Sequence, residues 1–144
     1  MRIVLDSSIL VRSFVSSRGL ARDLLLATLQ GDHTLILSNE MLAEVARVLR
    51  YPRLMAVHGE NEETIYDFTG WLREVAEMVV LDPLMLAPIR DRNDVIVLCT
   101  ALSGEADALC SADRDFFEPP ASIFLASYGI DMLTDVELMR KLGG

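Results

Sequence analysis

Residues 91–117, DRNDVIVLCTALSGEADALCSADRDFF, constrain the fold more than any other stretch of the chain. Val95, Ile96, Val97, Leu98, Ala101 and Leu102 suit a buried helix, entered through Asn93 or Asp94, both good N-cap types. Gly104 stops that helix. Ala106, Ala108, Leu109 and Cys110 then predict a short apolar strand, closed by the polar turn Ser111-Ala112-Asp113. Acids just before a buried helix and just after a buried strand are hard to explain as a solvated face. They need partners elsewhere in the chain, and Asp6 and Glu44 are placed to supply them.

The remaining chain repeats this strand and helix alternation. A first strand covers Arg2 to Leu5, with Asp6 at its end. Ser7 or Ser8 caps a segment from Ile9 to Val15, and a polar break precedes a helix from Leu20 to Gln30. Gly31-Asp32 is a turn, and Thr34 to Leu37 is a second strand. Ser38 or Asn39 caps a helix to about Arg50, with Met41, Leu42, Val45, Val48 and Leu49 on its buried side. Pro52 stops it, and Tyr51 to Glu63 is expected to be a loop. Ile65, Phe68, Leu72, Val75 and Ala76 predict a helix from Glu62 to about Met78. Val79 to Leu81 is a third strand, and Asp82 to Arg90, with two prolines, is a loop. Ile123 to Leu125 and Ile130 to Leu133 compete for the last strand. The second is preferred, because Thr134 or Asp135 then caps a C-terminal helix that ends at Gly143.

Such alternation predicts an α/β fold with a parallel sheet covered on both faces. The 144 residues fit one domain, residues 1–144, with a sizeable core. Hydrophobic content of 51% suits a fully buried sheet, an apolar interface, or both. No apolar run reaches membrane-spanning length, and the apolar N-terminus is interrupted by Asp6 and Arg12 without a cleavage site. The expectation is a cytoplasmic protein. Cys99 and Cys110 lack CxxC spacing and read as reduced core residues. Net charge is −9, from 22 acids and 13 bases, which argues against broad electrostatic capture of nucleic acid. Every base but Lys141 is Arg, the better bidentate phosphate ligand. The apolar excess and the negative charge together favour a homodimer or a small basic partner.

In open α/β sheets, sites lie outside the carboxyl ends of the strands, where strand order reverses. Asp6 ends the first strand and Asp113 follows the strand 106–110. Asp94 opens the helix before that strand, and Glu44 lies in the helix after the second strand. These four acids therefore belong to one edge of the sheet. Converging carboxylates raise one another's pKa values, and a cation removes the penalty. All-oxygen ligands suit Mg²⁺ or Mn²⁺, which activate water and neutralise a phosphodiester. Each acid also has a bland reading. Asp6, Asp94 and Asp113 can be helix caps, and Glu44 an ion-pair partner. Four at matching ends of a parallel sheet favour a metal site.

In this order the residues resemble the PIN-domain nucleases. Val4-Leu5-Asp6-Ser7-Ser8 matches the family's apolar strand ending in Asp. Ser38 and Glu44 match a Ser before a helix with an inward Glu. Asp94 matches an Asp before an apolar helix, and Ser111-Ala112-Asp113, trailed by Arg114-Asp115-Phe116, matches a strand running into Ser/Thr-x-Asp. The arrangement most resembles the bacterial and archaeal toxin–antitoxin subgroup, similar to VapC. Ser8 stands where Asn is an alternative, and Val95 stands where related sequences often carry another acid.

The resemblance implies a three-layer α/β/α sandwich, Mg²⁺ or Mn²⁺, and endonucleolytic RNA cleavage, often in a dimer held by an antitoxin. It implies that Asp6, Asp94 and Asp113 hold the metal. Glu44 would ligate the ion or orient the attacking water, and Asp115 would complete a second metal position. Ser8 and Ser111 would orient carboxylates or contact phosphate. Arg92 and Arg114 are expected in exposed ion pairs, within reach of an RNA backbone. His33 and His58 fall in turns or loops without a catalytic role. Two other readings have to be weighed. A phosphoacceptor receiver domain normally needs an adjacent acid pair at the first strand and a Lys after the last, whereas Asp6 stands alone and Lys141 falls inside the terminal helix. A PIN module that binds RNA or protein without cleaving keeps the fold and loses the chemistry.

Overall fold

The computed structural model describes residues 1–82 and 91–143. At its centre is β1 (Arg2–Leu5), whose Ile3, Val4 and Leu5 are fully buried, as a strand covered on both faces requires. β2 (Thr34–Ser38) pairs with one side of β1, in the register Arg2 to Thr34. β4 (Ala108–Cys110) pairs with the other side, Ile3 to Ala108 and Leu5 to Cys110. β3 (Glu77–Val79) and β5 (Asp131–Leu133) form the edges, giving the order β3-β2-β1-β4-β5 with every pairing parallel. The chain moves outward from β1 through β2 to β3, then returns to β4 on the opposite flank. That reversal places a crevice at the carboxyl ends of β1 and β4.

The helices are α1 (Ser7–Val15), α2 (Leu20–Thr28), α3 (Asn39–Leu49), α4 (Pro52–His58), α5 (Glu62–Val75), α6 (Arg92–Ser103), α7 (Ala121–Ser127) and α8 (Asp135–Leu142). They complete a three-layer α/β/α sandwich, in which α1 packs on α2 and α3, α2 on α8, and α3 on α5 and α6. Met41, Leu42, Val45 and Leu49 form the buried stripe of α3, and residues 97–101 of α6 are buried without a break. α6 ends where it crosses β2. A Cβ on Gly104 would meet Ile36 Cγ2 at 2.5 Å, so any side chain there would force Ile36 to shift. The next residue, Glu105, takes a positive φ of 50° to turn the chain towards β4.

Several local expectations change. The helix before β4 is entered through Asp91, not Asn93 or Asp94. The Asp91 carboxylate accepts from the backbone N–H groups of Asn93 and Asp94 at 2.8 and 3.3 Å. Residues 51–63 are not all loop, because Pro52 opens α4 at a position that suits proline instead of only ending α3. α5 stops at Val75, and β3 lies two residues earlier than expected, at 77–79. β4 is shorter than the predicted 106–110. Of the two competing segments, Ile123 to Leu125 is helical within α7, and the last strand is 131–133. Thr134 caps α8 in a capping box with Glu137. The loop expected over 82–90 lies, from residue 83 on, outside the described residues.

Candidate metal centre and active-site cavity

Asp6 continues the sheet, its N–H donating to the Cys110 carbonyl at 2.9 Å. It stands at the N-cap position of α1, yet its side chain makes no capping hydrogen bond. Asp6 is 7% exposed, and its carboxylate accepts instead from Ser111 Oγ at 2.7 Å and Ser8 Oγ at 3.3 Å. Burial pushes its pKa above the usual range. Donors from Ser111, the Ser7 backbone and Ser8 oppose that rise, and Asp113 adds to it. Ser111 is fully buried and also accepts from the Asp113 N–H at 3.0 Å. One hydroxyl thus joins the ends of β1 and β4 and sets the position of Asp113.

Asp113 caps the short 3₁₀ turn Arg114–Phe116, accepting from the Asp115 N–H at 3.0 Å. Phe116 is fully buried and anchors this turn, which folds Asp115 back beside Asp113. Carboxylate oxygens of Asp94, Asp113 and Asp115 lie within 4.8 Å of one another. Asp94 occupies the third position of α6. Among the described residues, no group donates a hydrogen bond to its carboxylate, unlike that of Asp6. Its pKa is accordingly raised to about 7, by burial first, then by Asp113, Asp91, Asp6 and Asp115. Carboxylates crowded in this way offer the all-oxygen donor set that suits a hard divalent ion.

Glu44 reaches the same place from α3. The helix is started by Ser38, whose Oγ accepts from the Met41 N–H at 3.3 Å and lies 2.8 Å from Thr100 Oγ1. The Thr100 hydroxyl already donates to the Ile96 carbonyl, so Ser38 is the donor in that pair. This buried contact fixes the start of α3 against the middle of α6. Glu44 Oε1 then accepts from Asn93 Nδ2 at 3.2 Å, and Oε2 accepts from Arg47 Nε at 3.1 Å. Glu44 is both an ion-pair partner and a member of the cavity.

Asp6, Glu44, Asp94 and Asp113 line one open cavity of about 540 Å³. Asp115 belongs to the carboxylate triad but not to the cavity lining. Sequence reasoning missed two charged lining residues, Asp91 and Arg12. The first had a signal in its position three residues before Asp94, the spacing of an N-cap. The second had one in the break it makes in an apolar helix. Arg92 and Arg114 are exposed and form no ion pair among the described residues, contrary to expectation. His33 contacts the N-terminal amine and His58 the Leu49 carbonyl. Lys141 lies in α8 and pairs with Asp131 at the start of β5, towards the opposite edge of the sheet. Cys99 and Cys110 are buried free thiols, and burial pushes Cys110 up to about 12. Among the described residues, no helix is long and apolar enough to cross a membrane.

No curated protein matches the chain. Among solved structures, it is similar to a chain of the crystal structure of VapBC2 from Rickettsia felis bound to a DNA fragment from their promoter. The TM-score is 0.60 at 13% identity, covering 93% of this chain and 98% of that chain. At that identity the likeness concerns the fold. A PIN domain model matches residues 2–115, a span that contains Asp6, Glu44, Asp94, Asp113 and Asp115. The chain belongs to the PIN domain family.

Proposed function

We propose that this protein is a metal-dependent endoribonuclease that hydrolyses RNA phosphodiester bonds, and that it acts in the cytoplasm as the toxin of a toxin–antitoxin pair. The observation that carries the reading is the triad of Asp94, Asp113 and Asp115 oxygens within 4.8 Å, two of them in a cavity shared with Asp6 and Glu44. Asp6, Asp94, Asp113 and Asp115 would hold Mg²⁺ or Mn²⁺. A bound ion of this kind supplies charge neutralisation at the phosphodiester and a more acidic water. Ser111 and Ser8 keep the Asp6 carboxylate turned inward by donating to it. Glu44, steadied by Asn93 and Arg47, faces the cavity as the group that orients the attacking water and takes up its proton. Loops of RNA, with bases that can be splayed out, suit the open cavity better than duplex.

The toxin role draws support from the fold shared with VapBC2. A homodimer and a small basic antitoxin belong to the same reading, supported by the net charge of −9. Tyr66, Trp71 and Val75, apolar residues exposed on α5, add to that support. The test is cleavage of a structured RNA with Mn²⁺ or Mg²⁺, beside Asp94→Asn and an excess of EDTA. Cleavage by the wild type alone, lost in EDTA, is the expected result. Equal cleavage by wild type and variant, or cleavage that survives EDTA, sinks the reading.

A further inference from the structure

The acidic cavity carries a charge imbalance that its substrate would worsen. Asp6, Glu44, Asp91, Asp94 and Asp113 line it, and Arg12 is the only cationic side chain among the described lining residues. α1 buries Ile9, Leu10, Val11 and Ser13, so helical spacing leaves Arg12 outward. Its side chain is 48% exposed, and its one ion-pair partner among the described residues is Asp135, 3.8 Å away at the start of α8. That separation exceeds the ~2.7–2.9 Å of a charge-assisted hydrogen bond. Most of the guanidinium donors therefore remain unspent.

Arg12 also lines a second cavity, of about 220 Å³, in the cleft between α1 and α2. It is the residue common to the two cavities. Arg22 lines the same cleft, held against α1 by donation from Nε to the Ser13 carbonyl at 2.9 Å. Its terminal amino groups have no partner among the described residues. Two arginines thus follow one another away from the acids, in a chain that is otherwise strongly acidic. Guanidinium groups bind phosphates bidentately, in a way a lysine cannot reproduce.

We propose that Arg12 and Arg22 form a phosphate track along the α1–α2 cleft, which holds a single-stranded RNA while its scissile phosphate lies at the acids. This deepens the nuclease reading and rests on it. Asp135 acts as the resident counter-ion of Arg12 when no strand is bound. It competes with the phosphate for that guanidinium, so its neutralisation should favour RNA.

Fluorescence anisotropy of a short labelled single-stranded RNA tests the track on the full chain, with Ca²⁺ in place of Mg²⁺ and the oligomer checked for integrity. Arg12→Ala should lose about tenfold or more in affinity, and its log–log salt slope should fall by roughly 0.7, the value for one phosphate contact on a single strand. Arg12→Lys should recover part of the loss, Arg22→Ala should show a smaller one, and Asp135→Asn should bind at least as tightly as wild type. Lys141→Ala, which removes the same charge beside Asp131, should stay within about twofold. In Mn²⁺ the Arg12→Ala defect should fall on KM, with kcat within about twofold.

Equal binding by Arg12→Ala and Lys141→Ala, in a wild type that cuts RNA, overturns the track alone. Binding that depends on Arg12 in a wild type that never cuts supports the track and removes the nuclease reading. If an oligoglutamate of matched charge binds as tightly as RNA and loses as much on Arg12→Ala, the cleft takes acidic peptide and the proposal is wrong.

Discussion

Replacing Asp94 with Asn removes one charge from the carboxylate cluster and leaves the side chain's shape. In the metal-free protein the Asp94 carboxyl is raised from 3.8 to about 7. The folded state therefore holds a proton more tightly than the unfolded chain does. The Asp94 contribution to metal-free stability is full below about pH 4 and declines as pH rises towards 7. Without screening the loss is about 4 kcal/mol. The cavity is open to water, and screening there reduces it to about 2 kcal/mol. Asn also forgoes the attraction of a carboxylate to the start of α6, about 0.5 kcal/mol. The variant should thus be about 1.5 kcal/mol more stable at about pH 8, or roughly 4–6 °C in Tm for a chain this long. Near pH 4 both proteins are neutral at this position and the gap should close. Scanning calorimetry in EDTA across that range measures it directly. Repeating the scans with Mn²⁺ at about ten times Kd should add about 1.4 kcal/mol to the wild type and little to the variant. A variant less stable than wild type near pH 8 in EDTA, or a gap equal at both ends of the range, would refute the reasoning. Asp94 would then be under no electrostatic strain from its neighbours.

Ser111→Ala should cost about 2 kcal/mol near neutral pH, because a buried carboxylate loses its shortest donor and the Asp113 N–H loses its acceptor. Urea denaturation reads the cost, and a loss below about 0.5 kcal/mol would mean that water replaces the hydroxyl. Gly104→Ala should destabilise by about 1–3 kcal/mol, since the new methyl meets Ile36 at 2.5 Å. Recovery of Tm in the double variant Gly104→Ala/Ile36→Leu, which lacks the Cγ2 methyl that the new side chain meets, would show that the clash is local.

The elements around the site were the most legible in sequence, and the physical reason is burial on both faces. Ile3 to Leu5, Leu35 to Leu37 and Ala108 to Cys110 stand out as continuous apolar runs because they become central strands, with Asp6 and Asp113 just past the first and the last. β3 was misplaced because it is an edge strand. Its Glu77 is exposed, while the more apolar Val80, 91% exposed, lies just beyond it. α4 was missed because none of its residues is buried, so it leaves no apolar stripe, and its proline reads equally as a stop or a start. Asp6, Asp94 and Asp113 could be assigned to one sheet edge from strand and helix order alone. That Asp115 folds back beside them depends on a 3₁₀ turn anchored by Phe116, which no periodicity announces. Arg12 was hidden for a related reason. Its meaning comes from the neighbours it faces across α2 and α8, and those contacts arise only once the chain has folded.

The pairing of β1 with β4 has a consequence in time. Asp6 and Asp113 share a hydroxyl, Ser111, although about a hundred residues separate them. At roughly 5–20 residues per second, Asp113 leaves the ribosome roughly 5–20 s after Asp6. During that interval β1 can find β2, but its other side is a bare row of N–H and C=O groups flanked by Ile3, Val4 and Leu5. The nascent chain is adhesive early and chemically silent until late. If the protein cuts RNA as proposed, a ribosome would therefore have to translate past Asp113 before its product could attack any transcript, including the one being translated.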